Sequence, residues 1–172
     1  GPPLRPVGGG DGDALWGGSR EGYIATVASD HSPRRKELKE PGWKNIFVDG
    51  NGSPIPFGSP SIETLVPLMW SEGVVKRSLP VTWLARVMAE NPARQVGLNT
   101  KGHIALGYAA DFAVFAPDDA FVVDVNKLQH KNRVSAYDRR ALAGVVRSTW
   151  LAGKRIDLSE EPRGRLLSRG MA

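Results

Sequence analysis

Tyr23-Ile24-Ala25-Thr26-Val27-Ala28-Ser29-Asp30-His31-Ser32-Pro33 carries a short apolar run straight into an acidic residue and a histidine. The pattern predicts a β-strand over 23–28 followed by a polar loop, the way barrel enzymes present reacting groups at the carboxyl ends of their strands. A complete eightfold barrel needs about 250 residues, and the chain has 172. The stretch therefore predicts the back end of a barrel enzyme.

Before it, residues 1–22 open on Gly-Pro-Pro-Leu-Arg-Pro and a Gly-rich run, which predicts an irregular connection with a short helix around Ala14 to Ser19. After it, residues 32–60 are rich in Pro and Gly, with the turn-prone Asp49-Gly50-Asn51-Gly52 at their centre. Loops of this length in compact domains are either functional or disordered. Directly beyond a candidate reacting group, a lid or pocket wall is the better reading.

Helical spacing follows. Ile62, Leu65, Val66 and Met69 form an i, i+3, i+4, i+7 stripe, bounded by Pro60 and Gly73. Val81, Leu84, Val87 and Met88 form a second stripe that begins at Pro80. Asn91-Pro92 supplies the N-cap and first residue of a short third helix that Gly97 ends. Trp70 and Trp83 read as packing residues. From residue 101 the pattern changes to short strands at 103–106, 112–115, 121–125 and 145–151, with Ala152-Gly153-Lys154 as a hairpin turn and 155–158 returning. This places a helical, barrel-like part over 1–98, a small β-structure over 99–158 and a basic tail over 159–172.

Composition excludes several classes. The chain has no cysteine, so disulfides and thiol nucleophiles are absent. No apolar run reaches the length of a membrane span, and a charged-then-apolar leader pattern is missing; a soluble, cytoplasmic protein is expected. The chain begins with Gly1 and has only Met69, Met88 and Met171, so a longer natural protein is expected. Net charge is +5, concentrated in Arg34-Arg35-Lys36 with Lys39 and in Arg163, Arg165 and Arg169. Neither cluster is interleaved with aromatic residues, which argues against nucleic-acid binding.

The residues at the strand end leave three roles open for Asp30: metal ligand, general base, or side-chain cap of the following turn. His31, like His103 and His130, reads equally as a hydrogen-bonded structural histidine. No His-x-His or His-x-x-x-His pair exists, so the chain cannot assemble a usual zinc site alone. A Gly-x-Ser-x-Gly elbow and a phosphate-binding Gly-Lys-Ser/Thr loop are both missing.

Ile24-Ala-Thr-Val-Ala-Ser-Asp-His-Ser-Pro33, Pro60 to Leu68 with Glu63, Met88-Ala-Glu-Asn-Pro-Ala-Arg94, Lys101-Gly-His-Ile-Ala-Leu-Gly107, Leu128-Gln-His-Lys-Asn132 and Val145-Val-Arg-Ser-Thr-Trp150 occur in an order that resembles the C-terminal part of the cyclic amidohydrolases. The chain looks most like the allantoinase branch, with the hydantoinases and dihydropyrimidinases next. Ser-Asp-His-Ser-Pro and Leu-Gln-His-Lys-Asn are allantoinase-like, whereas Pro56-Phe-Gly-Ser-Pro-Ser-Ile-Glu63 is more hydantoinase-like.

The resemblance implies an α/β fold: the C-terminal part of a metal-dependent (β/α)8 barrel followed by strands of a small β-sandwich domain. It implies hydrolysis of a cyclic amide C–N bond, such as allantoin to allantoate, by a homo-oligomeric protein. Asp30 would bind one metal of a binuclear zinc centre, with manganese or cobalt as alternatives, and would shuttle a proton. His31 would line the substrate pocket or support Asp30, and backbone around Phe57 and Gly58 would hold the cyclic amide or ureide. The family's other metal ligands belong to earlier strands, so the segment alone is expected to be inactive. Non-catalytic structural or assembly proteins also occur among hydantoinase-like barrels and form the alternative class.

Overall fold

Pro80 has an extended backbone and opens a helical segment composed of α3 (Val81–Ala85), a π-helical stretch (Arg86–Glu90) and α4 (Asn91–Gln95). The structure, a computed structural model, describes residues 9–39, 45, 47–56 and 58–167. Asn91 is not the N-cap of a separate helix, as its spacing with Pro92 predicts, but lies inside this continuous one. The π register has a local consequence. The Asn91 N–H reaches back to the Arg86 carbonyl, and in that register the Val87 carbonyl would need the N–H that Pro92 lacks. Val27 supplies it instead, at 3.0 Å.

That hydrogen bond corrects the reading of residues 23–28. The segment has no ladder partner among the described residues and is not a strand. Two of its backbone groups are bonded to a helix instead: the Val27 N–H donates to the Val87 carbonyl, and the Ala25 carbonyl accepts from the Asn91 Nδ2 at 2.7 Å. The β-pairing in this region is an isolated parallel bridge between His31 and Ser59.

The preceding helix α1 (Gly9–Glu21) extends beyond its expected ends at both sides. The next helical segment begins with a 3-10 turn (Ile62–Thr64), continues as α2 (Leu65–Met69) and passes into a second π-helical stretch (Trp70–Val75). Its fully buried line is Thr64, Pro67, Leu68 and Ser71, whereas Ile62 is exposed. The i, i+3, i+4, i+7 interval is retained but shifted, because two hydroxyls face inward with their hydrogen bonds satisfied. Thr64 Oγ1 donates to the Ser61 carbonyl, and Ser71 Oγ both donates to the Ala143 carbonyl and accepts the Ala143 N–H. Gly73 does not end this helix. A Cβ there would lie 2.7 Å from the Trp83 ring and 3.1 Å from that of Trp16, so the glycine permits close packing.

The sheet has the order β1-β2-β3, all antiparallel: β1 (Phe112–Val122), β2 (Ala141–Leu151) and β3 (Lys154–Arg155). The two runs expected at 112–115 and 121–125 are one strand interrupted at Pro117, where pairing shifts between Ala116 and Ala120. A proline has no N–H to give the ladder and is accommodated at such an irregularity. Opposite it, Gly144 has φ 83°, and a Cβ there would meet Phe115 and Trp70 at 2.2 and 2.7 Å. Residues 103–106 are not a strand; Ile104 and Leu106 are exposed and the run is tied down by turns. The turn at Ala152-Gly153 is confirmed, with both residues at positive φ and β3 pairing back as far as Arg155.

Two apolar clusters result. Leu68, Val123 and Leu142 join the helical segment to the sheet, with Phe121, Leu128 and Tyr137 around them. Leu79, Trp83 and Val87 form the second, against Trp16, Val27 and Met69. Adjacent residues Leu68 and Met69 thus serve different cores, so α2 connects the sheet to the segment that leads into Asp30.

Candidate functional site

Asp30 follows the helix-docked segment and adopts φ 46°, in the left-handed region. Aspartate tolerates this conformation better than most residues, at a cost on the order of 1 kcal/mol. The backbone on either side is held. The Ser61 hydroxyl donates to the Ser29 carbonyl at 2.6 Å, the His31 N–H donates to Ser29 Oγ at 3.3 Å, and the Ser32 N–H donates to the Ser59 carbonyl at 3.1 Å. Asp30 itself is exposed.

Gly58 lies where Ser59 pairs with this loop. Its φ is 121°, and a Cβ would fall 2.4 Å from the Ser32 carbonyl oxygen, so only glycine allows the two segments to close. The structure therefore brings Gly58 to the Asp30 loop as a close-packing residue. Phe57, the other expected substrate contact, lies outside the described residues.

His31 has a definite structural task. Its Nδ1 accepts the backbone N–H groups of Ser61 at 3.0 Å and Ile62 at 3.2 Å. These belong to the start of the helical segment, where the first N–H groups have no intrahelical acceptor. Ser61 occupies the N-cap position without making a side-chain cap, since its hydroxyl is given to Ser29. The imidazole performs the capping instead. With Nδ1 as acceptor, the neutral ring carries its hydrogen on Nε2.

Two further residues complete the cluster. His130, from the β1–β2 connection, packs its ring 4.9 Å from that of His31 at 59°. Its side chain is 3% exposed, and neither ring nitrogen has a hydrogen-bond partner among the described residues. Glu63 Oε2 lies 3.7 Å from His130 Nε2, within ion-pair range but too long for a hydrogen bond. The same oxygen accepts the Gln129 N–H at 2.7 Å, holding the connection against the first helical turn. Residue types and local spacing did not mark Glu63 and His130 as site residues; their presence in two separate family-like stretches was the available signal.

The chemistry this arrangement offers is that of one presented carboxylate on an immobilised loop. Asp30 can give an oxygen to a divalent cation or exchange a proton. Among the described residues no group of three or more His, Asp or Glu could hold a metal, so these residues fit a metal only as part of a larger ligand set. Carboxylates held below their ordinary range lie elsewhere. Burial would raise Glu72, but hydrogen bonds from Lys76 and Arg140 outweigh it and hold the carboxyl below its ordinary range. Lys101 and the Ala152 N–H do the same for Asp111.

Residues 20–157 match the family model described as Amidohydrolase family. The chain is 40% identical over 171 residues to an allantoinase of Streptomyces avermitilis, covering 98% of this chain and 36% of that protein. It is 33% identical over 161 residues to an L-hydantoinase of Paenarthrobacter aurescens, covering 90% and 34% respectively. Among solved structures, an L-hydantoinase (dihydropyrimidinase) from Arthrobacter aurescens superposes with a TM-score of 0.78 at 28% identity, over 96% of this chain and 35% of that one. A D-hydantoinase gives 0.79 at 27% identity, over 90% and 32%. The chain thus spans about a third of the length of these proteins.

Proposed function

Because the chain belongs to the amidohydrolase family, we propose that it supplies the Asp30 loop of an enzyme that hydrolyses a cyclic amide, with the opening of allantoin to allantoate as its reaction. The observation that carries this reading is the geometry of Asp30. Its carboxylate is exposed while the backbone on both sides is immobilised by Ser61, Ser59 and the His31 cap. A loop with a merely structural aspartate would turn that carboxylate to its own N–H groups, as Asp49 does toward Asn51 and Ser53.

In the reaction, Asp30 takes a proton from the attacking water as the water oxygen bonds to the ring carbonyl carbon. It then gives that proton to the ring nitrogen as the C–N bond breaks, acting first as base and then as acid. A divalent metal centre, binuclear zinc or its manganese or cobalt counterpart, supplies Lewis-acid polarisation of the carbonyl when bound. Asp30 is the ligand this chain offers it. His31 acts through the backbone of the loop, and Gly58 keeps Ser59 close enough to pair with it. Residues 1–98 form the last part of a (β/α)8 barrel, 99–158 a small β-sandwich-like unit and 159–172 a basic tail, within a homo-oligomeric protein.

The resemblance to the allantoinase of Streptomyces avermitilis favours allantoin, and the hydantoinase structures support a second reading with hydantoin or dihydrouracil as substrate. The test is to express the chain with whatever its reading frame encodes upstream, supply Zn²⁺, Mn²⁺ or Co²⁺, and assay allantoin, hydantoin, dihydrouracil and dihydroorotate. Allantoin turnover that Asp30→Asn lowers by about 10²–10⁴-fold is expected. Turnover unaffected by Asp30→Asn, or no hydrolysis of any of the four, would overturn the proposal.

A further inference from the structure

His130 is the least accounted-for side chain among the described residues. An imidazole buried with neither nitrogen hydrogen-bonded among them is unfavourable, and such groups are rare enough to need a reason. Its surroundings supply one. The ring lies against His31, the residue that caps the helical segment and adjoins Asp30. Its approach is set by Glu63, which anchors the neighbouring Gln129 N–H. The β1–β2 connection thereby reaches the Asp30 loop from the sheet side, while Ser61 and Ile62 hold it from the helix side.

We propose that His130 is a positioning residue that keeps the His31 ring in the orientation in which Nδ1 caps the helix, and through it holds Asp30 in its left-handed conformation. Two features make the ring contact the operative one. Both hydrogen bonds to His31 end on a single nitrogen, so they fix Nδ1 but leave the ring free to rock about it. The tilted His130 ring at 4.9 Å closes off that motion. A displacement of the ring would pass directly to the adjoining residue, because the His31 N–H and the Ser59 bridge are parts of the same short loop. This inference rests on the function proposed for Asp30, and its test separates the two.

His130→Ala, His130→Leu and His130→Phe are to be made in the same metal-supplied protein, with Asp30→Asn as reference. The readouts are kcat and KM on the ring substrate, thermal melting, and the ¹⁵N imidazole shifts of His31. Alanine is expected to lower kcat by about tenfold with KM within about twofold, as small misplacements of reacting groups do, and to shift the His31 Nδ1 signal away from that of a fixed acceptor. Phenylalanine restores both, since it retains a ring plane, and melts no lower than the parent. Leucine fills the space without a ring plane and behaves as alanine, so the question remains answerable if the alanine variant does not fold. A folded alanine or leucine variant with kcat and the His31 signal within about twofold of the parent would overturn the positioning role. Normal turnover in Asp30→Asn would instead overturn the function reading, and the His31 signals would still report on the contact.

Discussion

The Val87 carbonyl accepts the Val27 N–H at 3.0 Å because the proline at 92 has no N–H to offer it. One residue's missing hydrogen thus opens a helix to an extended segment, and that segment leads three residues later to Asp30. Asn91 reinforces the junction. Its Nδ2 donates to the Ala25 carbonyl, and its Oδ1 accepts from Arg94 at 2.8 Å, all in a nearly buried position.

Asn91→Ala should therefore destabilise the fold by about 0.5–1.5 kcal/mol, the net worth of the hydrogen bond lost at the Ala25 carbonyl. Urea unfolding of the parent and variant measures this directly. Amide exchange at Val27 should accelerate as the segment loosens.

Gly73→Ala tests whether the mid-helix glycine serves packing. Helix propensity alone favours alanine by about 1 kcal/mol, but the added Cβ would lie 2.7 Å from Trp83. Overpacking costs about 1–3 kcal/mol and should prevail, because Trp83 is 1% exposed and hydrogen-bonded through Nε1 to Ser19. A lower melting temperature is expected; a higher one would show that the tryptophans can move apart.

At Gly58 the obstruction is Ser32, through both its backbone carbonyl and its side chain. Gly58→Ala places a methyl 2.4 Å from the Ser32 carbonyl oxygen and puts alanine at φ 121°. The Ser32 to Ser59 hydrogen bond should break, seen as faster exchange of the Ser32 amide, with a loss of about 1–3 kcal/mol from backbone strain. Hydrolytic turnover should fall in parallel, since Asp30 belongs to the same loop.

Acid should weaken the contact between helix and sheet through Glu72. Its carboxyl is held below the ordinary value of 4.5, so it titrates lower in the folded state than in the unfolded chain. Its stabilising contribution is therefore complete above that value and is lost as pH falls through the folded-state pKa. Melting temperatures measured downward from pH 6 should drop less steeply in Glu72→Gln than in the parent. Identical slopes would show that Lys76 and Arg140 do not stabilise the ionised form.

Much of this was readable from the chain's own order of residues. The adjacency of Asp30 and His31 is covalent, the helical intervals follow from 3.6 residues per turn, and Ala152-Gly153 turns because the glycine accepts positive φ without strain. The family likewise rests on motifs in sequence order. Local periodicity nevertheless misplaced the buried line of α2, since it counts hydroxyls as outward and cannot know that Ser71 will meet Ala143.

The division of roles within the site belonged to tertiary structure alone. That His31 caps a helix depends on Ser61, 30 residues away, and that His130 reaches His31 depends on a connection pinned to Glu63 by a contact 66 residues apart in the chain. Whether an imidazole accepts, donates or is buried unpaired is set by which groups surround it in space. Residue type and spacing state only what the ring is able to do.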